Sequence, residues 1–155
     1  MKRSFAIGLI LQLLILSPAF AEPAPVAFSM VAVKASNEGV SPKRFGAGLE
    51  AVKPAIRSLN YDTYVKVSSY AATIPFGEKT TFFINDTYTL VVEPTAVDDR
   101  GRIRMNTVVM MKGKGRDQQP VKALDTVLVM APGKHLNLGG LKLDGGDLIV
   151  VLSVR

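Results

Sequence analysis

The sequence predicts an α+β fold: one amphipathic helix packed on a mostly antiparallel β-sheet or sandwich of about seven strands. Three observations predict it. Phe45, Leu49, Val52, Ile56 and Leu59 recur in steps of four, three, four and three, the spacing of one helical face. From Tyr61 onward the apolar period changes to two. Short turns rich in Gly, Pro, Asn and Asp punctuate that second stretch.

Ahead of these elements, residues 1–21 read as a signal peptide. Lys2 and Arg3 give a positive start, and residues 5–16 are apolar except for Gly8 and Gln12. Ser17 and Pro18 end the run, and Ala19-Phe20-Ala21 offers small residues where a signal peptidase reads. Cleavage is expected between Ala21 and Glu22. The apolar run is shorter than the roughly 18 residues that span a bilayer, which favours processing over a retained anchor. The mature chain, residues 22–155, is then a single exported domain, periplasmic or secreted from a bacterium.

Composition narrows the chemistry. The chain has no cysteine, which excludes disulfides, thiol catalysis, a lipoprotein anchor and cysteine metal sites. The formal charge is +6; without Lys2 and Arg3, 17 bases face 13 acids, leaving +4. Both signs are scattered, unlike the clustered footprint of a nucleic-acid binder, so no nucleic-acid partner is expected.

In order along the domain, residues 26–35 are apolar on both alternating sets, Val26, Phe28, Met30 and Ala32 against Ala27, Val31, Val33 and Ala35. A strand of that kind is central and covered on both faces. Ser41 is placed as the N-cap of the helix and Pro42 at its first position. Pro54 clashes with the carbonyl of Glu50, so a kink is expected there. Residues 61–72 alternate Val65, Val67 and Ser69 with Tyr64, Lys66 and Tyr70. Residues 80–84 and 87–93 flank Asn85-Asp86, a tight-hairpin signal, which also accounts for the sequon-like Asn85-Asp86-Thr87. Residues 103–111 set Ile103, Met105, Thr107, Val109 and Met111 against the wetter Arg102, Arg104 and Asn106. Strands follow at 121–130, briefly at 135–138 before a turn at Gly139-Gly140, and at 148–154.

Side chains that carry chemistry are sparse. His135 is the lone histidine and reads as an ordinary surface residue. Asp98 and Asp99 sit where turns favour Asp. Asp144-Gly145-Gly146-Asp147 lacks the spaced oxygen donors and distal Glu of a calcium loop. No catalytic, cofactor-binding or metal residue is assigned, and the chain reads as non-enzymatic. A hydrolase would need Asp125, His135 and a serine to converge. Lys112, Lys114 and Arg116 form a solvated loop able to touch anionic surfaces weakly. Met105, Met110, Met111 and Met130 read as core or strand-face filler. A membrane barrel formed by this chain alone is disfavoured, because it needs at least eight strands and leaves the helix no place in the wall.

Two segments resemble the β-domain of secretins, ring-forming outer-membrane proteins of bacterial secretion and pilus systems. One is Tyr88-Thr89-Leu90-Val91-Val92-Glu93-Pro94 followed by Asp99-Arg100-Gly101-Arg102-Ile103-Arg104-Met105. The other is Thr126-Val127-Leu128-Val129-Met130-Ala131-Pro132-Gly133-Lys134 followed by Leu138-Gly139-Gly140-Leu141. The likeness covers about half the mature chain, in patterns of strand, glycine turn and strand that many β-proteins share. A secretin carries a longer segment before its closing strand, where only residues 142–147 intervene here. The resemblance therefore implies a truncated relative or an envelope module built on the same sheet, with no pore of its own.

The expected function is an exported non-enzymatic module of the cell envelope, contacting an envelope protein or itself in an assembly. The alternative is a periplasmic binding protein for a small or lipidic ligand, held between helix and sheet by Phe28, Leu49, Ile56 and Met105.

Overall fold

The computed structural model describes residues 21–116 and 118–155. The signal peptide read at residues 1–21 lies outside the described residues, Ala21 excepted. Among the described residues no helix is long and apolar enough to cross a membrane.

Among the described residues nine strands form two sheets. They are β1 (Val26–Ser36), β2 (Arg44–Phe45), β3 (Thr63–Ile74), β4 (Thr80–Phe83), β5 (Tyr88–Val97), β6 (Ile103–Met111), β7 (Val121–Met130), β8 (His135–Leu143) and β9 (Gly146–Val154). The first sheet has the order β2-β3-β1-β9-β8 and the second β4-β5-β6-β7. Every pairing is antiparallel except β2 with β3.

The alternation in the sequence sorts these side chains into layers. Phe28, Met30, Ile74, Leu90, Met105, Val109, Leu148, Val150 and Leu152 close the space between the sheets. Phe28 stacks on Phe82 with ring centroids 5.2 Å apart, joining β1 to β4. Each such side chain removed from water contributes about 1.5–3 kcal/mol. β1 is central as expected, and its two apolar sets serve two cores: Phe28 and Met30 face the second sheet, while Val33 and Ala35 face outward into a separate cluster with Ile149 and Val151.

That outer cluster corrects the expected helix. Residues 41–59 do not form a continuous amphipathic helix; the helical part is one turn, α1 (Lys53–Ile56). Gly48 has φ +77°, a left-handed conformation that ends helical geometry. Pro54 lies in the first turn of α1, where its missing N–H costs nothing, so it starts the helix and does not kink it. The stripe nevertheless faces the sheet. Leu49, Val52 and Ile56 are buried, with Phe45 and Leu59 packed beside them. The steps of four and three describe a chain of turns whose downward side chains are apolar, lying as a cap on the outer face of the first sheet.

A second correction concerns β8. Gly139 and Gly140 do not end a short strand; they are a bulge within a nine-residue one, between the pairs Leu138–Val150 and Leu141–Leu148. Gly140 has φ +87°, which suits a bulge position. The described residues hold nine strands where about seven were expected; the two-residue β2 within the cap is one that the sequence did not signal.

Candidate functional site

The cap is fixed to the first sheet by polar contacts at one end of the sandwich. Asp62, just ahead of β3, accepts hydrogen bonds from the backbone N–H groups of Glu38, Gly39 and Val40 at 2.9, 2.8 and 3.2 Å. These donors, Glu38 first, hold its carboxyl below the usual range. Tyr61 donates to Asp147 at 2.7 Å, and Lys142 also reaches Asp147. Lys142 and then Tyr61 lower the Asp147 pKa, and the same bond raises that of Tyr61. Asn137 donates to the Ala55 carbonyl at 2.8 Å, joining β8 to α1. Apart from the side-chain oxygen of Asn137, which is buried without a partner, these groups are engaged within the protein, which marks a structural clasp.

The structure scatters the residues weighed for catalysis. His135 begins β8, exposed, directly across from Ser153, whose hydroxyl lies 2.6 Å from that of Ser29. This row lies on the outer face of the first sheet. Asp125 lies on the outer face of the second, 2.6 Å from Lys122. Asp125 and His135 therefore sit on opposite sides of the sandwich. Asp98 accepts from the N–H groups of Arg100 and Arg102 and pairs with the Arg102 guanidinium, closing its turn. Asp144 is exposed in the β8–β9 turn, and Asp147 is occupied as described. Among the described residues no three His, Cys, Asp or Glu side chains cluster as a metal site requires.

Nor do the four residues offered for a ligand space line one volume. Phe28 and Met105 belong to the core between the sheets, whereas Leu49 and Ile56 lie beneath the cap. The first sheet separates the two pairs. Met105 and Met130 are buried core residues, while Met110 and Met111 are half-buried. Lys112, Lys114 and Arg116 are exposed on the loop after β6.

What sequence reasoning missed is the outer face of the second sheet. Registers across the four strands place Phe83, Thr89, Met110 and Lys122 in one row, Thr81, Val91, Val108 and Asp125 in the next, and Glu93, Asn106 and Val127 beyond. Among the described residues no cap covers this face. Phe83 is 53% exposed, Val127 53% and Val129 41%. Val127 and Val129 also lie at an edge, because β7 closes the sheet on that side. A signal for this was present. Residues 126–130 are apolar on both alternating sets, Leu128 and Met130 against Val127 and Val129. In β1 and β9 the same pattern belongs to strands covered on both faces; in β7 one set and one edge are bare.

Compared with known protein families, curated proteins and solved structures, the chain matches none.

Proposed function

We propose that the chain is an exported, non-enzymatic β-rich module of the bacterial cell envelope that works through protein–protein contacts in an assembly. One observation carries this reading: on the open outer face of the second sheet Val127 and Val129 stand exposed side by side at the β7 edge, with Phe83 exposed on β4 at the opposite edge. Exposed apolar surface framed by charged residues such as Lys122, Asp125 and Arg104 is the composition of a contact surface. The segments that resemble secretins, within residues 88–105 and 126–141, take in β5, the start of β6 and the second half of β7, all in this sheet, and part of β8 in the first, so a secretin-related module would draw largely on this sheet. Lys112, Lys114 and Arg116 add a weak contact with anionic surfaces at the end of that sheet.

The test is site-specific photocrosslinking in intact cells, with the crosslinker placed in turn at Phe83, Val108 and Thr73. Discrete protein adducts from the first two positions and none from Thr73, on the far side of the sandwich, support the reading. Absence of adducts from all three overturns it. Export has its own check: the protein recovered from the periplasm or medium should begin at Glu22.

A further inference from the structure

We infer that the free edge of β7 pairs with the same edge of a second copy of this chain, joining two second sheets into one eight-stranded antiparallel sheet. The inference rests on reading the chain as an assembly module and names the partner.

The edges of the two sheets differ in how they are guarded. β4 has four residues, too short to template much pairing. β2 covers only Thr63 and Tyr64, so β3 is also open beyond them, but its run Ser68–Ile74 is the more polar one, with Ser68, Ser69 and Thr73. β8 is interrupted by its glycine bulge. The lower half of β7 is guarded as well, since its register with β6 shifts at Ala123 and the Lys122–Asp125 ion pair flanks the shift. The upper half is not. Thr126, Val127, Leu128, Val129 and Met130 pair without interruption to Thr107, Asn106, Met105, Arg104 and Ile103, and carry no charge and no proline. This is a smooth apolar edge five residues long.

Such a segment is complementary to itself. A two-fold axis through Leu128, perpendicular to the sheet, sets the strands antiparallel and uses the whole unguarded stretch. Leu128 then faces Leu128 of the other copy, Thr126 faces Met130, and Val127 faces Val129. The four valines meet on the open outer face, where both are now wetted, and form cross-strand apolar pairs. No like charges are opposed within the seam. Asp125 of one copy and Arg104 of the other fall two strands apart and one step along, with opposite sign. The seam is small beside the ~1,200 Å² of a standard stable interface, so association should be reversible and concentration-dependent.

Sedimentation equilibrium on the purified exported protein tests the contact, and a cysteine scan tests the register. Wild-type protein should show a monomer–dimer equilibrium. Val127→Lys should weaken it about tenfold or more. Adding Val129→Glu should restore it, because the two-fold sets Lys opposite Glu twice, whereas adding Val129→Lys should not. Because the chain has no cysteine, single substitutions at 126–130 report cleanly, and Leu128→Cys should form disulfide dimers fastest under mild oxidation. A protein monomeric at every concentration, or a scan without a maximum at Leu128, overturns the inference. A monomer that still gives specific adducts in cells leaves the assembly reading standing; loss of those adducts removes that reading instead.

Discussion

Tyr61 donates its phenolic hydrogen to Asp147 across 2.7 Å, so the last residues of the cap are tied to the start of β9, although 86 positions separate them in the chain. Lys142 is the larger influence on the same carboxylate and Tyr61 the second. Removing each in turn should therefore produce ordered effects. Lys142→Gln should raise the Asp147 pKa further toward the usual 3.8 than Tyr61→Phe does, as read from the carboxyl carbon by NMR titration. The reverse order would mean that the phenol, and with it the cap, dominates the site.

Acid should weaken the clasp at Asp62 in a defined window. Its folded pKa lies below 3.8, so the charged form is favoured by folding. Its stabilising contribution is complete above that value and is lost as pH falls through the folded pKa. Asp62→Asn should lower the melting temperature at neutral pH, and the gap from wild type should close as pH drops below 3.8. A gap of constant size across a thermal-melt series down to pH 2 would show that the three N–H donors do not discriminate the charged form.

Burial beneath the cap, and not helicity, should set the cost of mutations there. Ile56 is fully buried under α1, so Ile56→Ala should cost about 2–5 kcal/mol in denaturant unfolding. Pro54→Ala should change stability by less than about 1 kcal/mol, since Pro54 occupies a first-turn position that needs no N–H donor. Far-UV circular dichroism should be dominated by sheet in both variants.

This cap shows how much of the fold was legible beforehand. Phe45, Leu49, Val52, Ile56 and Leu59 were identified by spacing as a buried stripe, and they are buried or packed against the buried cluster. Their backbone was not legible, because a stripe in steps of four and three fits successive turns on a flat sheet as well as a helix. Gly46 and Gly48 were the residues that distinguished the two. Strand positions were legible because one-sided burial imposes period two, as in Ile103, Met105 and Thr107. The open face was not, since residues 126–130 look like a covered strand and only the strand order reveals β7 as an edge.

Glycines at the β8–β9 hairpin should respond unequally to alanine. A Cβ at Gly146 would lie 2.5 Å from the Ala35 carbonyl oxygen, which is backbone and cannot swing away. Gly146→Ala should therefore force β9 from β1 and cost about 1–3 kcal/mol. At Gly139 a Cβ meets nothing within 4 Å, so Gly139→Ala should stay within about 1 kcal/mol of wild type. Equal costs in parallel urea titrations would mean that the hairpin tolerates displacement from β1.

Thr107 presents the opposite case, a residue whose removal should help. It is fully buried on the inner side of β6, between Val92 and Thr126, and its hydroxyl has no hydrogen-bond partner. An unpaired buried hydroxyl loses its hydration without replacement, at a cost of about 1–3 kcal/mol. Valine keeps the branched shape and the strand preference while replacing the hydroxyl with a methyl. Thr107→Val should raise stability by about 1 kcal/mol in urea, with an unchanged slope because the surface exposed on unfolding is the same. A loss of stability would mean that the hydroxyl is satisfied in solution by a water reaching the core between the sheets.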